Sequence, residues 1–266
     1  MKRVAIAVAA TALVVVGIGY RNTLAEPVVR DLRVRAPIDP VSVVLLSDIH
    51  VAGPDMPPER LRRIVGQINA LRPDIVLLAG DYVSDKAVAT RHYSTAEAIA
   101  PLAALRPRLG TVAVLGNHDH ERGAAGIRRA LRAAGITVLD NAARRVGPLA
   151  IGGLDDATTD HANRARTIAA MQRVGGLPVL LSHHPDPFAK VAGNVRLMLA
   201  GHTHCGQVRF PLIGALTYGS NLGARFGCGI VREKGRILVV GAGLGTSELP
   251  IRFGAPPDMW RITIGR

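Results

Sequence analysis

Val112-Ala113-Val114-Leu115-Gly116-Asn117-His118-Asp119 decides the fold. An apolar run breaks abruptly into a glycine, then a carboxamide, an imidazole and a carboxylate, as a buried strand does when it delivers polar groups into a site. Four other runs break in the same way. Val43 to Leu46 opens onto Ser47-Asp48-Ile49-His50, and Ile75 to Ala79 onto Gly80-Asp81. Val179 to Leu181 opens onto Ser182-His183, and Val195 to Ala200 onto Gly201-His202-Thr203-His204. Open α/β sheets bind ligands at the carboxyl ends of their strands, so these five distant segments are expected to converge there.

The surrounding pattern supports that reading. Leu61, Ile64, Val65, Ile68 and Leu71 form one apolar helical face ended by Pro73. Ser94-Thr95-Ala96-Glu97 has capping-box spacing and is expected to open an alanine-rich helix stopping near Pro107. A third helix is expected around Ile127 to Ala134, closed by Gly135, and a fourth from about Asp160 to Val174. Thr137 to Leu139, Leu149 to Ile151, Ile237 to Val240 and Trp260 to Ile264 read as strands. Each sheet must cover one apolar face with the other sheet and one with helices. The expected fold is therefore α/β, with two packed mixed β-sheets flanked by helices in four layers, α/β/β/α.

The chain has 266 residues, 48% of them hydrophobic, enough for one large domain, expected over residues 36–266. Residues 1–35 read as an anchor or signal segment with a linker. Lys2 and Arg3 precede an uninterrupted apolar stretch from Val4 to Ile18. A full span usually takes about 20 apolar residues, and Thr23-Leu24-Ala25 is a passable cleavage site, but a retained membrane anchor is favoured. The basic residues after the stretch outnumber those before it, so the side of the membrane stays open. A net charge of +13 and a pI near 11.0 suit anionic surroundings or arginines used as solvated faces. No basic run or aromatic-interleaved patch appears, so no nucleic-acid partner is expected. Cys205 and Cys228 are too few for a disulfide framework and wrongly spaced for a zinc knuckle; Cys205, directly after His204, could sit near the metals but is read as a small buried thiol.

Asp48, His50, Asp81, Asn117, His183, His202 and His204 form a mixed oxygen and nitrogen set suited to Mn, Zn or Fe. Seven groups exceed what one tetrahedral ion needs. Two divalent metal ions sharing a carboxylate would use them all and suit in-line displacement at phosphorus. Taken singly each element is weak, since Gly-Asp after a strand is most often a turn; together, in order and at strand ends, they point to a phosphoesterase.

Asp48-Ile49-His50, Gly80-Asp81, Gly116-Asn117-His118-Asp119, His183 and Gly201-His202-Thr203-His204 resemble the calcineurin-like metallophosphoesterase superfamily. Ser182-His183-His184-Pro185, Gly201 to Arg209 and Pro250-Ile251-Arg252-Phe253 resemble its membrane-anchored bacterial branch, which includes hydrolases of UDP-2,3-diacylglucosamine. The resemblance implies one metal held by Asp48, His50, Asp81 and His204, and a second by Asp81, Asn117, His183 and His202. It further implies that His118 acts catalytically beside the scissile phosphate and that Arg252 lies at the rim, where a planar fork would hold phosphate. The implied substrate is a lipid-linked or envelope phosphodiester or pyrophosphate, with a broad-specificity secreted phosphodiesterase or a non-catalytic envelope-binding scaffold as alternatives. Two positions depart from the family pattern. Ser84, followed by Asp85, stands where several branches place the partner of the catalytic imidazole, and Cys205 stands where the branch commonly has glycine.

Overall fold

The computed structural model describes residues 1–266 except 192, 211 and 216. The chain runs α1 (Lys2–Thr23), β1 (Val28–Arg35), β2 (Val41–Leu46), β3 (Ala52–Gly53), α2 (Pro58–Ala70), β4 (Ile75–Leu78), β5 (Arg91–His92) and α3 (Thr95–Ile99). It continues through β6 (Gly110–Ala113), α4 (Asn117–Ala133), β7 (Thr137–Val138), β8 (Ala142–Val146), β9 (Leu149–Gly153), α5 (Arg164–Val174), β10 (Leu177–Leu181) and β11 (Leu197–Ala200). It ends with β12 (Arg209–Phe210), β13 (Gly214–Ala215), β14 (Gly229–Glu233), β15 (Arg236–Val240) and β16 (Asp258–Gly265).

Two six-stranded sheets result, ordered β1-β16-β2-β4-β6-β7 and β14-β15-β11-β10-β9-β8. The strands β2, β4 and β6 are parallel neighbours, as are β9, β10, β11 and β15. Antiparallel pairings at β16 and at the β14 and β8 edges make both sheets mixed. Alternation along each strand divides its side chains between two cores. Val43, Leu45, Ile75 and Leu77 meet Ile151, Val179, Leu181 and Leu199 between the sheets. Val44, Leu46, Val76 and Leu78 face Leu61, Ile64, Ile127 and Leu131 of α2 and α4. On the far side, Leu180, Met198 and Leu238 pack with Met171 of α5. Strands buried on both faces read as continuous apolar runs, which is why they were conspicuous in the sequence. The fold is the expected four-layer α/β/β/α arrangement.

Three boundaries differ from expectation. Val28–Arg35 is a strand of the first sheet, paired with β16 over its whole length, so the domain reaches back beyond residue 36. The alanine-rich helix stops at Ile99 and becomes a 3-10 turn from Ala100 to Ala104, because Pro101 cannot continue the helical hydrogen bonding. The helix expected at Ile127 begins ten residues earlier, at Asn117, with a break at Gly123 where φ is +111°. That early start places Asn117 and His118 on a helical first turn.

Candidate metal centre

Parallel strands β2, β4, β6, β10 and β11 point their carboxyl ends the same way, and each of the five expected loops leaves from one of those ends. The loops are locked together before any ligand is considered. The Asp119 carboxylate accepts from the backbone N–H groups of Asp81 at 2.8 Å, Tyr82 at 3.0 Å and Gly116 at 2.9 Å, tying the β4 loop to the β6 loop. Burial and the charge of Asp81 push Asp119 up to about 7, while those three N–H groups oppose the rise. A Cβ on Gly116 would collide with the Asp81 carboxylate, so glycine is required there. The His202 N–H donates to both Asp48 oxygens, at 2.9 and 3.0 Å, which joins the β2 and β11 loops.

The seven expected ligands meet in two groups. In one, His50 Nε2 lies 3.2 Å from His204 Nε2 and 3.4 Å from Asp81 Oδ2, and His204 Nε2 lies 3.6 Å from Asp48 Oδ1. In the other, Asn117 Oδ1 is 3.1 Å from both His183 Nε2 and His202 Nδ1, which are 3.0 Å apart. His183 Nε2 is 3.3 Å from Asp81 Oδ2, so Asp81 stands between the groups. Donors held about 2.0–2.2 Å from one ion lie roughly 2.9–3.6 Å apart along the edges of its coordination polyhedron, and these separations fit that range. The donor chemistry fits a pair of divalent metals.

Ring orientation agrees with this. His183 Nδ1 donates to the Ala79 carbonyl at 2.8 Å and His202 Nε2 to the Gly219 carbonyl at 2.9 Å, leaving Nε2 of the first and Nδ1 of the second as lone pairs facing the group. Burial disfavours charge on all four imidazoles; it lowers His50 and His204 well below the ordinary range and His202 to about 4. His183 is the exception, raised to about 10 because Asp81 outweighs its burial, while neighbouring imidazoles help draw Asp81 down against its own burial. Asp48, His50, Asp81, His202 and His204 all have φ between +48° and +71°. Backbone held in the left-handed region at five such residues is strain concentrated at a site.

His118 lies beside this centre, its ring 5.0 Å from that of His50 and its N–H donating to Asp81 Oδ1 at 3.1 Å. Neither residue at the departing family position reaches it. Asp85 pairs with Arg122, and Ser84 Oγ accepts from the Lys86 N–H. Glu121 instead brings Oε2 to 3.3 Å from His118 Nδ1. Three residues apart on a helix that starts at Asn117, the two side chains share one face, a spacing the sequence contains but that signals a pair only where the helix begins this early.

Two expectations are corrected. Cys205 and Cys228 are not separate thiols but a disulfide, which fastens the loop after His204 to the turn before β14. Arg252 does not reach the rim: it is fully buried, with Nη1 donating to the Ala255 carbonyl at 2.8 Å and Nη2 to the carbonyls of Ala242 at 2.8 Å, Gly243 and Gly245. Burial pushes this guanidinium down to about 10. The fork that suited phosphate is occupied by backbone, and it braces the glycine-rich turn packed against Asp48. His184 packs against His202 with ring centres 4.3 Å apart and planes tilted by 38°, while His92 and His161 are exposed.

A cavity of about 400 Å³ opens over the centre. Asp81, Asn117, His118, His202 and His204 form its polar side, and Val208, Tyr218, Leu249 and Ile251 its apolar side.

The family model for calcineurin-like phosphoesterases matches residues 41–206, and the chain belongs to that family. It is therefore a metal-dependent phosphoester hydrolase. Among curated proteins, a Danio rerio transmembrane protein with a metallophosphoesterase domain is 32% identical over 92% of this chain, which spans 59% of that protein. The metallophosphoesterase YkuE of Bacillus subtilis is 28% identical, covering 85% of this chain and 79% of its own length. Of solved structures, a 5'-nucleotidase precursor from Thermus thermophilus superposes with a TM-score of 0.52 at 15% identity, covering 85% of this chain and 55% of its own. That likeness bears on the fold alone.

Proposed function

We propose that the chain is a membrane-anchored, two-metal phosphodiesterase or pyrophosphatase acting on a lipid-linked or envelope substrate, of which UDP-2,3-diacylglucosamine is a representative. The observation behind this reading is the cavity, whose polar side is the candidate metal centre and whose apolar side includes Ile251, a residue in contact with the anchor helix at Gly19. A substrate with a phosphate beside an apolar body matches both sides. Helix α1 has 22 residues with a mean hydropathy of 2.0 in its most apolar window and is exposed over nearly all of its length, as a membrane span would be.

Asp48, His50, Asp81 and His204 would hold one ion, and Asp81, Asn117, His183 and His202 the other. Bound there, the ions would supply Lewis acidity and lower the pKa of water for attack at phosphorus. His118 faces the cavity, where it donates a proton to the departing oxygen or stabilises charge on it. Glu121 positions that imidazole. Asp119 keeps Asp81 and Asn117 in register by fixing both loops. Arg252 acts from beneath, holding residues 242–245 against Asp48.

The Cys205–Cys228 disulfide supports an extracytoplasmic catalytic domain, because disulfides persist in oxidising compartments. The test is turnover by full-length protein in phospholipid vesicles, comparing UDP-2,3-diacylglucosamine with a water-soluble aryl phosphodiester. Preference for the lipid in kcat/KM is expected; equal or greater preference for the soluble diester would establish a broad-specificity phosphodiesterase instead.

A further inference from the structure

The anchor helix is more than a tether. Its last turn is seated on the loop that walls the cavity: Gly19 O accepts the Arg252 N–H at 3.0 Å, and Asn22 Nδ2 donates to the Arg252 carbonyl at 3.1 Å. A Cβ at Gly19 would strike Ile251 and the Phe253 ring, so the fit admits only glycine. Thr23, at the end of the helix, is fully buried. The neighbouring segment is tied to the same loop, with the Arg209 N–H donating to the Phe253 carbonyl at 2.8 Å, the Phe253 N–H to Gln207 O at 3.0 Å, and Gln207 Nε2 to Leu249 O at 2.9 Å. From there the β12–β13 hairpin projects, and three of its described apolar side chains are exposed. Phe210 is 43% exposed, Ile213 76%, and Leu212 wholly so, and Leu249, bonded to Gln207, is half-exposed. Leu24, just past the helix end, is exposed as well.

We propose that the hairpin around Leu212 and Ile213 inserts into the bilayer surface beside α1, as a second contact that holds the mouth of the cavity against the lipid head groups. The proposal rests on the membrane-anchored reading of α1. The bilayer is the fitting occupant because a membrane helix and this hairpin converge on one loop, residues 249–253, so a membrane crossed by α1 meets the hairpin's base. Bulky apolar side chains at an interface gain by burial in the acyl boundary. Arg21, on the last turn of α1, and Arg209, next to Phe210 in β12, suit anionic head groups. A lipid-borne phosphoester would then enter sideways along Leu249 and Ile251 without leaving the membrane.

Fluorescence tests the placement without reference to turnover. The full-length chain carrying Ile213→Trp is reconstituted in phosphatidylglycerol/phosphatidylcholine vesicles containing brominated phospholipid, beside Arg173→Trp at the far end of α5. That control lies at the end of the sheets opposite the site, and the native Trp260, 5% exposed, supplies a common background. Quenching on the order of twofold is expected at Ile213→Trp and none at Arg173→Trp, as for a side chain within acyl reach. Equal emission at both would overturn the proposal, as would shielding of Ile213→Trp that rises with protein concentration in detergent, the mark of a contact between copies. In a second arm, Leu212→Glu with Ile213→Glu should leave hydrolysis of the soluble diester unchanged and slow vesicle-embedded substrate roughly tenfold. Loss of soluble-diester hydrolysis there would make the hairpin a structural part of the site and overturn its interfacial role. Failure of the lipid substrate with wild-type protein, by contrast, would count against the proposed function and leave the quenching result standing.

Discussion

Residues 41–206 and residues 207–258 build one cavity by different means. The first region delivers its groups from the ends of parallel strands, where the backbone is fixed by ladders on both sides and by the Asp119 carboxylate. The second adds β14 and β15 to the edge of one main sheet, carries the short β12–β13 hairpin and otherwise consists of turns, and it is held by a disulfide, by the buried Arg252 fork and by the seat of α1. The family model covers the first region and stops where the second begins. Chemistry is thus placed on the rigid scaffold and much of the wall that meets substrate on loops, although the Gly219 carbonyl and the turn at 243–245 also touch His202 and Asp48.

Substitutions should separate the two regions, one losing turnover and the other stability. Asp81→Asn should cost the most, about 10³-fold in kcat/KM, corresponding to several kcal/mol of transition-state stabilisation, with metal content falling too. Normal turnover with two tightly held metals would remove Asp81 from between the ions. His118→Ala should lower kcat about 10²-fold, with metal content unchanged by mass spectrometry. In the second region, replacing Cys205 and Cys228 together by serine should lower the unfolding free energy by about 2–4 kcal/mol and leave the metals bound. Arg252→Lys keeps the charge but leaves buried carbonyls without donors, so about 1–3 kcal/mol of stability should go, read as a lower denaturation midpoint. A raised KM at unchanged stability would restore Arg252 to the substrate. Glu121→Gln, the mildest, should lower kcat by less than about tenfold while KM and metal content hold.

The same division governs what could be read from the sequence. Strands buried on both faces announce themselves as apolar runs, and a carboxylate or imidazole at their ends is conspicuous by contrast, so the four layers and the convergence of Asp48, Asp81, Asn117, His183 and His202 were legible. Cys205 and Cys228 stand 23 residues apart in a stretch without periodicity, and nothing local says that they meet. Arg252 was misplaced for a similar reason. Its carbonyl partners lie within ten residues, but only the folded turn brings them to one point, and an isolated arginine next to a glycine-rich loop reads equally well as a phosphate contact. The strand Val28–Arg35 was hidden because its charged residues alternate with apolar ones beside a long apolar helix, which mimics a linker.

Metal stoichiometry coupled to activity tests the central claim most directly. Full-length protein stripped with chelator should lose hydrolysis of a phosphodiester, and titration with a divalent metal should restore it as occupancy rises toward two ions per chain, with Asp81→Asn unable to follow. Full activity in the metal-free protein, or saturation of activity and binding at a single ion, would contradict a dinuclear centre built from these seven residues.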